Sequence, residues 1–384
     1  MTTQFATIEE ALLDVQDGQI VIIVDDEDRE NEGDLMIAAE KVTPDSINFM
    51  ATHGRGLICL AMTGQRLDDL HIPLMVSDHT NTSPYGTAFC VTIEARRGVS
   101  TGISAFDRAH TVLTAIDAKT RPTDLTRPGH IFPLRARDGG VLVRAGQTEA
   151  SVDLARIAGL FPAGVICEIM KEDGTMARVP DLVEFAAAYR LKMITVADLI
   201  RYRLKTERFV HKVGESVFQT RHGAFQMIGF QSILGSETHF ALVKGDLEKG
   251  EDILVRVHTH CLTGDVFGSV ACHCHEQLDR ALEMIEAEGR GVLLYLHPMG
   301  KAASPAELEF HGKRGVDSNE TIGLRGEQRE YGIGAQILAA LNIHSMRILT
   351  NHPRKLVALE AYGLKILAQV PFMHVKATNS VNIR

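Results

Sequence analysis

No apolar run in this 384-residue chain approaches the roughly 20 residues that cross a bilayer. The opening MTTQFATIEE also lacks the pattern of a signal peptide. The chain is therefore expected in the cytoplasm, away from membranes. Positive charge is in deficit: 40 Lys and Arg against 49 Asp and Glu give a net charge of −9. That balance excludes general nucleic-acid binding, which needs a basic face. No internal repeat and no low-complexity linker is present. Cysteine is sparse, six in all. Cys59, Cys90 and Cys167 stand singly in apolar runs, where a thiol is a packing residue. Cys261, Cys272 and Cys274 stand together, and in a reducing compartment such a cluster points to metal rather than disulfides. What the chain has is length and apolar content. At 45% apolar it can fill well-packed cores, and 384 residues fit two domains.

The densest feature is DDEDRENEGD, Asp25 to Asp34, with seven carboxylates in ten residues around Arg29. It follows residues 20–24, IVIIV, which read as a buried strand. An anionic loop at the mouth of such a strand calls for cations, and its hard oxygens suit Mg²⁺ or Ca²⁺. The plain alternative is a solvated acidic turn. An EF-hand is excluded. With Asp28 as the first loop position the twelfth is Ala39, where a bidentate Glu is required.

Around this loop the pattern is α+β with short connections. Residues 8–15 have helical spacing, and Thr43 and Pro44 open a second helix as N-cap and first residue. Residues 56–60, GLICL, read as a strand, with His53 and Arg55 in the turn before it. Three polar, Gly-punctuated segments follow. They are 97–104 with Asp107 and Arg108 behind it, RPGH at 127–130, and RAGQTE at 144–149, which opens a helix. A helix start beside an Arg is a ready phosphate seat. Taken alone, an ordinary cap is the simpler account.

Together these segments resemble 3,4-dihydroxy-2-butanone 4-phosphate synthase of the riboflavin pathway, over about residues 5–205. The resemblance implies that Glu30 binds Mg²⁺ (or Mn²⁺), that Arg29 contacts the sugar phosphate and that Asp34 contacts substrate. It makes His130 and Glu168 essential to catalysis. It places substrate contacts on Arg144, Gln147, Thr148 and Glu149. One position departs from the family. Gln147 stands where the family has His as second Mg²⁺ ligand. An amide oxygen is a hard ligand that Mg²⁺ accepts, but it shuttles no proton. Metal binding is expected to survive, weakened. In the implied reaction ribulose 5-phosphate enolises, dehydrates, shifts its carbon chain and loses C4 as formate. Glu32, Asp34, Glu168 and His130 are the candidates for proton transfer. Mg²⁺ would polarise the carbonyl and hold the diol oxygens.

Residues 202–208, YRLKTER, are charged and follow a helical pattern, which places a boundary near 206. The two domains are then 1–206 and 207–384. In the second, residues 254–258 alternate as a strand, and three Cys follow in a C-x10-C-x-C spacing with His nearby. That is a strong zinc signal, with three ligands and a fourth place for water. From 207 to about 372 the chain resembles GTP cyclohydrolase II, whose three Cys hold zinc. The resemblance puts Arg256, His258, Gln277, Arg329, Thr350 and Lys355 on GTP-site positions. It puts Glu327 at the family's proton-accepting Asp.

The departures here are heavier. His297-Pro298-Met299-Gly300-Lys301 stands where the family grips the triphosphate with Gln-Glu-Gly-Arg-Gly-Ile-Gly-Leu. Pro298 and Pro305 disfavour the helix expected there. The segment Met299 to Gly315 is about six residues short and lacks the family's catalytic Tyr. His260 and His275 replace a Glu and a Gly beside the Cys ligands, and either imidazole would close the zinc site if it bound. The tail stops early, at Arg384.

The expectation is an α/β (α+β) protein of two domains, each a mixed sheet with flanking helices. The first is a Mg²⁺-dependent synthase acting on ribulose 5-phosphate. The second is a zinc-binding, cyclohydrolase-like domain that has lost its chemistry and serves structure, assembly or regulation. The resemblance implies a homodimer. Two rivals stand beside this reading. One is a fully bifunctional enzyme that also opens GTP. The other is a non-catalytic flavin-pathway partner or ligand sensor, which Gln147 would suit.

Overall fold

The structure is a computed structural model that describes residues 5–27, 29–77, 80–232, 237–270, 272–297, 324–351 and 364–371. The chain divides into two units, Met1–Arg203 and Leu204–Arg384.

The first unit opens with helix α1 (Ile8–Gln16), started by a Thr7–Glu10 capping box. Strands β1 (Val21–Val24) and β2 (Gly33–Ala38) then form a hairpin across the acidic loop. Next come α2 (Pro44–Phe49), β3 (Cys59–Thr63), α3 (Gly64–Asp69), β4 (Ile93–Ala95) and α4 (Ala105–Ile116). They are followed by β5 (Leu125–Ala136), α5 (Gln147–Ile157), β6 (Ala163–Glu168), α6 (Val179–Tyr189), β7 (Lys192–Thr195) and α7 (Val196–Thr206). The seven strands make one mixed sheet in the order β4-β5-β3-β6-β2-β1-β7. Only β3/β5 and β1/β7 pair in parallel. Strands β1 and β2 are buried along their whole length, β1 as its unbroken apolar run requires and β2 with Asp34 buried among apolar residues. Helix α5 is buried from Gln147 to Ala155, so its polar residues Gln147, Thr148 and Glu149 lie inside the unit.

The expected strand at 56–60 begins later, at Cys59. Met50–Gly54 winds as a π-turn, and Arg55 takes a left-handed conformation (φ 67°). Gly56 then passes hard against β6. A Cβ there would stand 2.5 Å from the Glu168 carbonyl oxygen and 2.6 Å from its carboxylate. The chain is thus turned to fit the end of β6 before it can pair.

The second unit contains β8 (Val210–Thr220), β9 (Gly223–Ser232), β10 (Thr238–Lys244) and β11 (Ile253–Thr259). Helix α8 (Cys274–Glu288), β12 (Gly291–Leu296), α9 (Leu324–Ala340), β13 (Ser345–Leu349) and β14 (Lys365–Val370) complete it. Its sheet also has seven strands, ordered β14-β13-β11-β12-β10-β9-β8. Two apolar cores flank this sheet, one including Ile333, Ile337 and Leu338 of α9, the other Ala281 and Ile285 of α8. Each unit is therefore a mixed sheet with helices around it, as the patterning predicts. No helix among the described residues is long and apolar enough to cross a membrane.

Candidate active site and thiol cluster

The acidic loop is held from beneath by Asp25. This buried carboxylate takes the Arg29 guanidinium at 2.7 Å and accepts the backbone N–H groups of Glu30 (3.1 Å) and Glu32 (2.9 Å). One buried group thus folds the loop back on itself and sets the arginine. Arg29 then bridges to Glu30 at 3.1 Å and donates to the Gln147 amide oxygen at 2.8 Å. Its guanidinium stands 5.2 Å over the Tyr85 ring, and the Tyr85 hydroxyl donates to the Arg29 carbonyl. From the other side Arg178 donates to the carbonyls of Glu30 and Asn31 and lies 3.8 Å from Glu32.

Helix α5 starts at this point. Its N-cap is Gly146, which has no side chain to cap it. A Cβ on Gly146 would meet Arg144 Nη1 at 2.5 Å and Arg29 Nη2 at 3.0 Å, so two guanidiniums converge on the helix start. Arg144 is fixed by Glu149 at 2.6 Å, by the Thr87 hydroxyl at 2.9 Å and by the Tyr85 carbonyl at 3.2 Å. Glu149 also accepts the Arg137 N–H. Thr148 is buried in the first turn.

Asp34 and Glu168 face each other across the β2/β6 pair. Burial pushes the Asp34 carboxyl well above its ordinary range, and the neighbouring Glu168, Glu30, Glu32 and Asp25 push the same way. Burial also raises Glu168, although the Leu57 N–H donates to it at 2.8 Å. Glu32 is raised by burial and by Glu30. These carboxyls are short of cation, and a pair with raised affinity for protons can take one from carbon and return it.

The sequence-predicted residues Arg29, Glu30, Gln147, Arg144 and Glu149 are therefore brought together, with Asp34 and Glu168 paired. His130 is placed differently. It projects from β5, and its Nδ1 lies 2.9 Å from Glu94 of β4. The second oxygen of Glu94 is buried with no partner among the described residues.

The donor set fits a hard divalent ion on the carboxylate side of this site. The carboxyls with raised proton affinity, buried Asp34 and half-buried Glu168, sit beside Glu30 and Glu32, and their oxygens are not gathered into one tight cage. Among the described residues only the three Cys sulfurs form a close ligand triple. Mg²⁺ commonly uses one or two protein carboxylates and takes its other ligands from substrate and water.

In the second unit Cys261, Cys272 and Cys274 are buried, with their sulfurs within 4.8 Å of one another. The Gly264 N–H donates to Cys261 Sγ at 3.3 Å. A Cβ on Gly264 would stand 2.6 Å from Cys272 Sγ and 3.1 Å from Cys261 Sγ, so the turn closes only around glycine. Three thiols cradled by a backbone donor fit zinc. His260 and His275 are the two imidazoles that could close such a site. His260 Nδ1 is on the Tyr295 hydroxyl at 2.7 Å, and His275 is exposed on α8. No imidazole joins the sulfur triple among the described residues.

Beside the thiols, Arg256 of β11 donates to Gln277 of α8 at 2.8 Å and to the Leu349 carbonyl at 3.0 Å. His258, two residues along the strand, lies 3.0 Å from Asp265, which also takes the Tyr295 hydroxyl at 2.8 Å. Burial works to raise Asp265, but His258, the Cys261 N–H and Tyr295 together hold it below its ordinary range. Thr350 follows β13 and donates its N–H to the Val370 carbonyl. Glu327 and Arg329 fall on the backbone of α9, and their side chains lie outside the described residues, as do Lys355 and the segment Met299 to Gly315.

Asp25, Tyr85 and Arg178 escaped the sequence reading as site residues. Asp25 had a signal, as the first acid after a buried strand. Tyr85 reads as packing, and Arg178 has no local signature.

The sequence matches the family described as 3,4-dihydroxy-2-butanone 4-phosphate synthase over residues 9–202 and that described as GTP cyclohydrolase II over 211–371. The riboflavin biosynthesis protein RibBA of Aquifex aeolicus is 54% identical over 377 residues, covering 96% of this chain and 92% of that protein. The bifunctional riboflavin biosynthesis protein RIBA 1 of Arabidopsis thaliana is 48% identical, covering 97% of this chain and 70% of its own length. Among solved structures, RibBX from A. baumannii, a two-domain 3,4-dihydroxy-2-butanone 4-phosphate synthase, superposes with a TM-score of 0.76 at 40% identity, covering 95% of this chain and 99% of that one. A synthase in complex with two magnesium ions has a TM-score of 0.50 at 41% identity, covering 53% of this chain and 98% of its own. The chain belongs to the 3,4-dihydroxy-2-butanone 4-phosphate synthase family and carries a GTP cyclohydrolase II domain behind the synthase domain.

Proposed function

We propose that residues 1–206 convert D-ribulose 5-phosphate to L-3,4-dihydroxy-2-butanone 4-phosphate and formate in riboflavin biosynthesis, a lyase reaction in which product and formate together hold every atom of the substrate. The convergence of Arg29 with Asp25, Glu30 and Gln147 at the start of α5 carries this reading. Arg29, Arg144 and the uncapped helix start offer donors for the phosphate. Glu30 would hold the divalent ion, Mg²⁺ or Mn²⁺. When bound, that ion polarises the sugar carbonyl and orients the diol oxygens. Asp34 and Glu168 hold a proton between them and pass it to or from carbons flanking the carbonyl. Glu32 lies beside them as a further acceptor. His130 is oriented by Glu94, and its part is completed in a homodimer, the assembly that the family resemblance implies. Proton NMR of the purified chain with ribulose 5-phosphate and Mg²⁺ tests the reading. Formate and the four-carbon product are expected in equal amounts, and their absence would refute it.

We further propose that residues 207–384 bind zinc through Cys261, Cys272 and Cys274 and have lost GTP ring opening. The replacement of the family's triphosphate grip by residues 297–305, HPMGKAASP, supports that loss. A second reading is favoured by one observation. The thiols lack a fourth protein ligand among the described residues, and Arg256, His258 and Gln277 stand beside them. Formate release from GTP by the zinc-loaded chain would establish the bifunctional reading. No release with zinc bound at one equivalent supports the loss.

A further inference from the structure

Gln147 occupies the place where a second metal ligand is expected, yet its amide oxygen is already taken by a cation. Its Oε1 accepts from Arg29 Nη1 at 2.8 Å. A guanidinium only donates, so the oxygen must be the atom that faces it; the reversed amide would set N–H against N–H. The same Arg29 is pinned by Asp25 at 2.7 Å and by Glu30 at 3.1 Å, so it is not free to swing away. A divalent ion on Oε1 would share one neutral oxygen with a fixed cation. It would also sit at the positive end of α5, an eleven-residue helix whose N-cap has no side chain. Arg144 adds a second guanidinium at the same spot.

The other limb of the amide points to what does bind. Gln147 is 4% exposed, and its Nε2 is buried with no acceptor among the described residues. A buried amide without an acceptor is costly. The carboxylates nearby, Asp25, Glu30 and Glu149, are engaged by Arg29 and Arg144 rather than by this N–H. We propose that Gln147 is a substrate-binding residue that donates its Nε2–H to an anionic oxygen of the sugar phosphate, and that it is not a ligand of the divalent ion. The ion is then held by the carboxylate side of the site, through Glu30, without help from position 147.

This inference rests on the synthase reading, and its test is separable from turnover. Mn²⁺ is titrated into the metal-stripped full chain and followed by EPR without sugar phosphate. Ribulose 5-phosphate is then titrated calorimetrically into the metal-free chain. The expected result for Gln147→Ala is an unchanged Mn²⁺ affinity and a sugar-phosphate affinity weaker by about tenfold, the size of one lost hydrogen bond to a charged group. Gln147→Glu keeps the shape and the Arg29 contact but turns the donor into an acceptor. It is expected to lose sugar-phosphate binding and to leave Mn²⁺ affinity as it was. Weaker Mn²⁺ binding in Gln147→Ala, or tighter binding in Gln147→Glu, overturns the proposal. A circular-dichroism melt checks that each variant is folded, and Gln147→Glu carries the test if the alanine variant is not. Failure of the wild-type chain to turn over ribulose 5-phosphate would refute the synthase reading and leave these binding results standing.

Discussion

Two carboxyls, the buried Asp34 and the half-buried Glu168, face each other across a strand pair and both resist ionisation. A carboxyl whose folded pKa is raised favours the folded state at low pH and loses that contribution as pH rises through the raised value. Asp34→Asn removes the burden of ionising at neutral pH. Its melting temperature is therefore expected to exceed that of the natural chain at pH 7, by about 2–4 °C for each 1 kcal/mol recovered. The gain should vanish below the ordinary carboxylate range, where Asp34 is protonated in both states. A calorimetric series against pH reads this, and formate production should be lost in the same variant. Asp25 contributes through its contacts. Its side chain is fully buried against Arg29, so Asp25→Ala leaves Arg29 to Glu30 alone, takes the acceptor from the Glu30 and Glu32 N–H groups, and should cost about 3–5 kcal/mol in urea unfolding. At this scale much of the candidate site was legible in the sequence, because Arg29, Glu30 and Asp34 lie in one run and Arg144 to Glu149 in another. Their contacts were not. Arg29 reaches Gln147 across 118 positions and Arg178 reaches Glu30 across 148, and no local pattern encodes such a meeting.

Among the elements, the β1–β2 hairpin presents the acidic loop, and α5 presents a helix start against it. Both follow from the sequence: an apolar run too continuous for a surface strand, and RAGQTE before a helical stretch. The turn 50–58 did not follow, because an apolar pentapeptide looks like a strand wherever it begins. Here the crowding of Gly56 against Glu168 delays pairing until Cys59. That crowding makes a prediction. Gly56→Ala must push the end of β6 aside. It should cost about 1–3 kcal/mol, read by urea unfolding, and displace Glu168 enough to lower kcat at least tenfold. A variant with full turnover would show that the Glu168 carboxylate need not sit where the turn holds it. Arg178 belongs to the same argument, since it clamps the loop through carbonyls rather than through substrate. Arg178→Ala should loosen Glu30 and weaken Mn²⁺ binding by about tenfold, a shift that EPR measures directly.

At the scale of the whole molecule, the chain is two units, each built on a seven-stranded mixed sheet. Length anticipated two domains, and the resemblances carried by the acidic run and the Cys spacing gave each its class. Sequence neighbours of a thiol need not turn toward it: His260 is drawn to Tyr295 and His275 is exposed. If the thiols are a zinc site, Cys272→Ser should drop zinc content from one equivalent to near none. It should also lower the melting transition of the second unit while sugar-phosphate turnover persists. Elemental analysis, calorimetry and a formate assay on one preparation would show this. The account as a whole stands on Glu30 holding a divalent ion at the mouth of β1. The direct measurement is formate release from ribulose 5-phosphate by the natural chain and by Glu30→Gln, with and without Mg²⁺. The prediction is release that needs Mg²⁺ and falls by at least about a hundredfold in Glu30→Gln. Equal release from both proteins, or none from the natural chain at saturating Mg²⁺, would contradict it.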